Sequence, residues 1–123
     1  MVLCDSTVII DAINNVATAQ EQLLSIGSQN VLISVITEME VLAGAINKEH
    51  QLKLEKKLKQ YNILQIDNRI SSKATELIKK YKLSHGLLIP DAIIAASCLI
   101  YDFELLTDNI KDFKFIDGLS LCK

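Results

Sequence analysis

Short apolar runs that end in polar residues recur along this chain, and longer segments with a helical pattern separate them. The first run is Val2 to Cys4, and Asp5 follows it directly. Short apolar runs bounded by polar or turn-forming residues predict buried strands. The predicted strands are 2–4, 31–34, 63–66 and 104–107, with an additional edge strand at 114–116 that leads into a turn at Asp117–Gly118.

The segments between these runs carry apolar residues at helical spacing, as at Ile70, Ala74 and Leu77. The predicted helices begin at Val8, with Ser6 or Thr7 as the cap, and then cover 18–26, 37–46, 48–60, 69–81 and 91–101. The last of them is almost wholly apolar, so we expect it to be buried. Strands that alternate with helices predict an α/β fold with a mostly parallel sheet, because parallel strands need helical crossovers.

The length of 123 residues suits a single domain over 1–123, and no linker or repeat divides it. Half of the residues are hydrophobic and 23% are charged, which excludes a disordered or fibrous chain. The uncharged apolar run from Ala92 to Tyr101 has ten residues, whereas a membrane-spanning helix needs about 20. The first residues lack the basic segment of a secretory signal. We therefore expect a cytoplasmic protein.

The cysteines and histidines do not form a metal-binding pattern. Cys4, Cys98 and Cys122 include no Cys-x-x-Cys pair, so a zinc site or a disulfide framework is not expected. Cys4 and Cys98 lie in apolar segments and are expected to be small buried residues. His50 and His85 are far apart, which favours surface or capping roles for both.

The net charge of −2 argues against a module that holds nucleic acid by phosphate contacts alone. It does not exclude an enzyme whose carboxylates bind cations, because the ions supply positive charge. The lysine-rich segments 48–59 and 79–82 are more typical of solvated helix faces than of an RNA-binding surface. Lys111 lies close in sequence to acidic residues and is the better candidate for a substrate contact.

Several acids follow the predicted strands. Asp5 follows the first strand, Glu40 lies six residues after the second, Asp91 opens the apolar helix, and Asn109 and Asp112 follow the last strand. Sites in such sheets form beside the carboxyl ends of the strands. Clustered carboxylates select hard ions such as Mg²⁺ or Mn²⁺, which support phosphodiester hydrolysis. Singly, each acid could instead end a strand, cap a helix or face solvent.

Four segments resemble the motifs of the PIN-domain family. Segment 3–11 has an acid at a strand end followed by hydroxyl residues and an apolar helix, and segment 33–44 has Thr37, Glu40 and Gly44 in the family pattern. Segment 89–96 reads Ile-Pro-Asp-Ala-Ile-Ile-Ala-Ala, and segment 105–113 contains Thr107. The motifs occur in order over nearly the whole chain. Their order and the chain length resemble the VapC-type toxins of toxin–antitoxin pairs.

The resemblance implies a three-layer α/β/α fold with a mostly parallel central sheet of four to five strands. It also implies an endoribonuclease that depends on Mg²⁺ or Mn²⁺ and is silenced by a small antitoxin protein. Asp5, Glu40 and Asp91 would be metal ligands in such an enzyme. Asn109 or Asp112 fills the fourth position, and the missing charge of Asn109 makes Asp112 the candidate.

The resemblance gives Thr7 and Thr107 supporting roles, because their hydroxyls would orient ligands or water. Asp108 stands where many relatives have a basic residue, and this departure leaves one RNA contact in doubt. The mean hydropathy of +0.26 suggests apolar surface, which is compatible both with a homodimer and with an antitoxin-binding groove.

Three other functions compete with a toxin ribonuclease. A catalytically silent PIN-like module that binds RNA or protein would explain Asn109 and the low basic charge, although the three other acids argue against it. A flap-type DNA nuclease would need more chain than 123 residues provide. A regulatory domain phosphorylated on Asp would need a Lys after the late strand, where Asp108 and Asn109 follow Thr107 instead.

Overall fold

The computed structural model describes residues 1–122 and has a parallel sheet at its centre. The strands within these residues are β1 (Val2–Cys4), β2 (Val31–Ser34), β3 (Asn62–Leu64) and β4 (Glu104–Leu106). The α-helices are α1 (Ser6–Ile13), α2 (Ala17–Ile26), α3 (Val35–Ala43), α4 (Lys48–Leu58), α5 (Asn68–His85) and α6 (Ile89–Tyr101). Strands and helices therefore alternate as the sequence predicts, and the α/β fold class is confirmed.

The four strands lie in the order β3-β2-β1-β4, and each pairs with its neighbours in parallel. Val2 of β1 is in register with Val31 and with Glu104, so β1 lies between β2 and β4. At the other end, Cys4 is in register with Leu106. The carboxyl ends of the strands consequently share one edge of the sheet, where the residues that follow them come together.

The sheet separates two apolar clusters and gives the fold three layers. Leu3 and Leu105 belong to the cluster that also contains the buried faces of α5 and α6. Cys4 and Ile33 belong to the other cluster, which includes apolar residues of α1, α3 and α4. Alternate strand residues point to opposite faces, so β1 contributes to both layers of helices. The three-layer α/β/α prediction is confirmed.

Helices α1 and α3 each begin two residues earlier than predicted, because polar residues at the strand ends cap them. Asp5, not Ser6 or Thr7, is the N-cap of α1, and its carboxylate accepts the backbone N–H of Ser6. Ser34, the last residue of β2, caps α3 and accepts the backbone N–H of Ile36 at 3.1 Å. Each strand therefore passes directly into a helix, which turns the chain sharply at the edge of the sheet.

Helix α5 extends four residues beyond its predicted end and stops at Gly86. Gly86 has φ of +70° and donates its backbone N–H to the carbonyl of Lys82 at 2.8 Å. A glycine adopts this left-handed conformation without the steric cost of a side chain. The extension places His85 at the end of α5, close to the start of α6.

The predicted edge strand at 114–116 is wrong. Phe113 and Ile116 are both buried and are three residues apart, a spacing that suits a tight turn and not a strand. The segment forms turns, and the backbone N–H of Ile116 donates to the carbonyl of Phe113 at 3.0 Å. Leu121 instead lies beside β4 and forms a parallel bridge with Leu105. The turn at Asp117–Gly118 is present.

Cys4 and Cys98 are buried, as predicted, and Cys122 is partly exposed. All three are free thiols. Burial raises the pKa of both the Cys4 and the Cys98 thiols to about 12, so these residues stay protonated and behave as small apolar side chains. Within residues 1–122, no helix combines the length and the apolar character needed to cross a membrane.

Candidate active site

Asp5 is held rigidly between the ends of β1 and β4. Only 4% of the residue is exposed. Its Oδ1 accepts the backbone N–H of Ser6 at 2.8 Å and, more weakly, the Ser6 hydroxyl at 3.4 Å. Its own backbone N–H donates to the carbonyl of Leu106 at 2.9 Å. These contacts fix the carboxylate at the edge of the sheet where the strands end.

Thr107 connects the end of β4 to the same carboxylate. The Thr107 hydroxyl donates to Asp5 Oδ2 at 2.8 Å, and its oxygen accepts the backbone N–H of Asn109 at 3.0 Å. Asn109 therefore contributes to this arrangement through its backbone. A carboxylate has about four acceptor positions, so Asp5 retains the capacity to bind a cation.

Asp91 lies in the first turn of α6 and is partly buried. Burial raises the pKa of its carboxyl to about 6, and the negative charges of Asp5, Asp112 and Glu40 add to the shift in that order. Three like charges act on one carboxyl only where they are close to it. We call Asp5, Glu40, Asp91 and Asp112 the acidic cluster.

The two remaining members of the acidic cluster are exposed. Glu40 lies on α3, where partial burial and then the charge of Asp5 raise its pKa, while hydrogen bonding by Ser6 opposes the shift. Asp112 ends a short 3₁₀ turn, Ile110–Asp112, that follows β4. Three separate parts of the chain after β1, β2 and β4, together with the start of α6, thus supply the cluster.

Asp91 and Asp112 line a groove of about 220 Å³ together with Lys111. Gly86, His85 and Phe115 also line this groove. Glu40 lines a separate hollow of about 120 Å³ between α1, α3 and α4. Asp91 and Asp112 therefore line one depression and Glu40 lines another, and the predicted substrate-binding residue Lys111 lies in the larger one.

Within residues 1–122, no three Asp, Glu, His or Cys side chains are arranged to hold a metal ion as they stand. The chemistry of the donors nevertheless fits a hard divalent cation, because the cluster is made of carboxylates that repel one another. Glu40 and Asp112 are exposed, so their side chains have room to draw toward an ion beside the fixed carboxylate of Asp5.

Two threonine hydroxyls near these acids in sequence are buried without a hydrogen-bond partner in the described part of the chain. They belong to Thr7, two residues after Asp5, and to Thr37, three residues before Glu40. Buried hydroxyls without partners are uncommon, and ordered water is one way to satisfy them. The supporting role expected for Thr7 stays a prediction.

Ser6, predicted only as a possible helix cap, takes part in the site. Its backbone N–H and hydroxyl both contact Asp5, and its hydroxyl also lowers the pKa of Glu40. A serine directly after a strand-end acid was the available signal. His85, for which a surface or capping role is expected, is exposed and lines the groove. Its place there depends on the length of α5, which the apolar pattern underestimated.

A model of the family described as the PIN domain matches residues 2–119. The chain belongs to the PIN-domain family. This PIN domain has a parallel sheet, and the members of the acidic cluster lie after its strands or at the start of α6. The predicted relationship to VapC-type toxins is also confirmed by similarity to chains from solved toxin–antitoxin complexes.

Three solved structures illustrate the likeness. A toxin–antitoxin complex from Klebsiella pneumoniae contains a chain that is 34% identical, with 97% of this chain and 95% of that chain covered and a TM-score of 0.82. A chain of VapBC2 from Rickettsia felis, bound to a promoter DNA fragment, is 27% identical over 99% and 98% of the two chains, with a TM-score of 0.81.

A chain of VapBC-1 from nontypeable Haemophilus influenzae is 23% identical over 100% and 98% of the two chains, with a TM-score of 0.81, and supports the fold alone. No curated protein sequence matches this PIN domain.

Proposed function

We propose that this PIN domain is an endoribonuclease that depends on Mg²⁺ or Mn²⁺ and acts as the toxin of a toxin–antitoxin pair. Membership of the PIN family and similarity to VapBC chains support a nuclease toxin in general. The observation that carries the more specific proposal is the acidic cluster. Burial and then repulsion by the other three acids raise the pKa of Asp91 to about 6, and a bound divalent cation would relieve that repulsion.

Asp5, Glu40, Asp91 and Asp112 would hold the metal. When bound, Mg²⁺ or Mn²⁺ supplies an activated water and neutralises charge on the phosphodiester. Asp5 serves as the fixed point of the site, because Ser6 and Thr107 orient both of its oxygens. Thr107 also holds the backbone of Asn109, and so positions the segment that carries Lys111 and Asp112.

Lys111 is the proposed contact for a phosphate of the RNA. It is exposed and lines the groove beside Asp91 and Asp112. An ammonium group at this position reduces the repulsion between the acidic cluster and an approaching polyanion. The overall charge of −2 provides no general attraction for RNA, so a local lysine has a larger share in binding.

The proposed partners are an antitoxin protein and a second copy of this chain. The solved relatives include VapBC2 from Rickettsia felis and a toxin–antitoxin complex from Klebsiella pneumoniae. This chain exposes large apolar side chains, among them Leu24 at 80% and Ile46 at 84%. Exposed apolar residues of this kind are compatible with protein interfaces.

The test compares wild type with Asp91→Asn, which removes one charge from the acidic cluster and keeps the size of the side chain. The matched control is Asp102→Asn at the other end of α6. Asp102 is exposed and has φ of +56°, a conformation that asparagine also tolerates. Each protein is induced in a bacterial host, growth is followed, and new RNA 5′ ends are mapped.

We expect growth arrest and new RNA ends with wild type and Asp102→Asn, and neither with Asp91→Asn. The purified proteins are then incubated with the mapped RNA and the corresponding DNA, in Mg²⁺, in Mn²⁺ and in a chelator. Cleavage of RNA that the chelator abolishes supports the proposal. Cleavage that persists in Asp91→Asn or in the chelator would contradict the assigned site.

A silent binding module is the second candidate. It is favoured by one observation: within residues 1–122, no three potential ligands stand in a ready-made metal-binding arrangement. Such a module would bind RNA or protein without cleavage. Wild-type protein that binds the target RNA equally well with metal and with chelator, and leaves it intact, would favour this alternative.

A further inference from the structure

A pair of stacked aromatic rings lines the groove and has no part in holding the proposed metal. The imidazole of His85 and the ring of Phe115 have centroids 4.2 Å apart and an interplanar angle of 10°. Tyr81 contacts both rings edge-on, at centroid distances of 5.8 Å and 5.2 Å. The Ser84 hydroxyl lies 2.7 Å from His85 Nδ1. The imidazole is therefore held in a defined orientation.

His85 is exposed although it stacks on Phe115. The phenyl ring covers one face of the imidazole, so the exposed surface of the residue lies on its remaining face and edges. Tyr81 is only 6% exposed and anchors the pair to the core. A rigid, half-covered aromatic ring loses little conformational freedom when a second planar group stacks on it.

The same groove is lined by the aromatic pair and by two members of the acidic cluster. Its lining includes His85 and Phe115 together with Lys111, Asp91 and Asp112. An aromatic ring, an ammonium group and two of the proposed metal ligands thus share a single depression. A nucleotide carries the corresponding groups, a planar base and a phosphate.

We propose that this groove binds one nucleobase of the RNA next to the scissile phosphate, by stacking against the His85–Phe115 pair. The inference rests on the proposed function, since it places a nucleotide of the substrate beside the cleavage site. The groove volume of about 220 Å³ is below the ~300–1,000 Å³ of pockets that enclose a drug-sized ligand. The groove therefore has room for a planar base, with the rest of the nucleotide outside it.

Stacking is the main interaction that this subsite offers, because the lining residues other than Asp91, Lys111 and Asp112 are aromatic or apolar. Every base has a face that can stack, so the contact tolerates different bases. The subsite is therefore expected to increase affinity for RNA in general, while the choice of a particular sequence arises elsewhere.

The experiment measures nucleotide binding by the full chain in Mg²⁺, using NMR to follow the His85 ring protons. The probes are AMP and CMP, and ribose 5-phosphate is the matched ligand without a base. The variants are His85→Ala, which removes the ring, and His85→Phe, which keeps an aromatic face. Leu83→Ala is the control, because Leu83 is on the same helix and 100% exposed.

We expect AMP and CMP to shift the His85 protons upfield and to bind more tightly than ribose 5-phosphate. One base stacked on an aromatic side chain contributes about 1–3 kcal/mol. His85→Ala should therefore weaken AMP binding by about five-fold to 150-fold. His85→Phe should stay within about three-fold of wild type, and Leu83→Ala should not differ from it. Circular dichroism confirms that each variant is folded.

Equal affinity of AMP for wild type and His85→Ala would overturn the inference, as would equal binding of AMP and ribose 5-phosphate to wild type. The RNA-cleavage comparison of wild type and Asp91→Asn reports separately on the proposed function. If cleavage depends on Asp91 while AMP binding is indifferent to His85, only the base subsite is refuted. If AMP binding depends on His85 and RNA stays intact, the subsite is supported and the nuclease proposal fails.

Discussion

Replacing Asp91 by asparagine is expected to stabilise the metal-free protein at neutral pH, although the same change should abolish cleavage. The ionised carboxylate is unfavourable in the native state, because burial and the charges of Asp5, Asp112 and Glu40 raise its pKa. Asparagine has nearly the same shape and no charge. The variant therefore removes the repulsion and leaves the packing of α6 in place.

The size of the effect follows from the pKa of Asp91, which rises from 3.8 to about 6. Each pKa unit corresponds to about 1.36 kcal/mol, so the full shift would cost about 3 kcal/mol at pH 7. Asp91 is only partly buried, and solvent screening reduces this value. The loss of a negative charge from the first turn of α6 offsets a further part. The expected gain for Asp91→Asn is about 1–2 kcal/mol.

The sign of the pH dependence is fixed by which state binds the proton more tightly. The native state holds the Asp91 proton up to about pH 6, whereas the unfolded chain releases it near pH 3.8. Between these values the native state binds more protons, so the contribution of Asp91 to stability falls as the pH rises. Above about pH 6 the penalty is complete and constant, and below pH 3.8 it is absent.

The assay is urea unfolding followed by circular dichroism, with wild type, Asp91→Asn and the control Asp102→Asn in a chelator. The free energies of unfolding of wild type and Asp91→Asn should be similar at pH 3.5 and should separate as the pH rises to 7.5. Their difference isolates Asp91 from the other titrating groups. Mg²⁺ at 100 times its Kd would then stabilise wild type by about 2.7 kcal/mol, and Asp91→Asn by less.

A difference between wild type and Asp91→Asn that does not change with pH would refute the reasoning, because it would arise from packing and not from charge. A wild type that is more stable than Asp91→Asn at pH 7.5 in the chelator would refute the repulsion itself. Equal stabilisation of both proteins by Mg²⁺ would show that Asp91 contributes little to cation binding.

Two further substitutions test the support of Asp5 and the turn that replaced the predicted edge strand. Thr107→Val removes the hydroxyl that donates to buried Asp5 Oδ2 and accepts the backbone N–H of Asn109. Urea unfolding should therefore show a free energy of unfolding lower by about 1–3 kcal/mol, and cleavage should be reduced. Thr107→Ser keeps both hydrogen bonds and should retain stability and cleavage. Phe113→Ala removes a ring that is 1% exposed and should cost about 3–5 kcal/mol. Ile110→Ala, at a side chain 52% exposed, should stay within about 0.5 kcal/mol of wild type. A small effect of Phe113→Ala would show that the turn is not part of the core.

The strands and helices of this fold could be predicted from the sequence, because the strands are short apolar runs and the helices have apolar residues at helical spacing. Their first and last residues were harder to predict, since they depend on single hydrogen bonds. The start of α3 is set by the Ser34 hydroxyl, and the end of α5 is set by Gly86. At 114–116 the sequence predicted an edge strand, whereas Phe113 and Ile116, three residues apart, are both buried and the segment forms turns.

The acids were found in the sequence by their position after strands, and one of them has two structural roles that the sequence could not separate. Asp5 was considered either as a helix cap or as a metal ligand. The structure shows that its Oδ1 caps α1, while its Oδ2 accepts the Thr107 hydroxyl. A carboxylate has acceptor positions to spare, so capping and the proposed metal binding are compatible in the same residue.

The distances between the acids could not be predicted from the sequence, because they depend on how the helices that carry the acids pack on the sheet. Asp91 reaches the acidic cluster only because α6 packs on one face of the sheet, whereas α3 carries Glu40 on the other face. The two helices approach the sheet edge from opposite sides, and Asp5 lies where they meet. Substitutions in the apolar cluster that contains Cys4 and Ile33, where they keep the fold but shift α3, would therefore change cation affinity without altering a ligand. They should change nucleotide binding at His85 less.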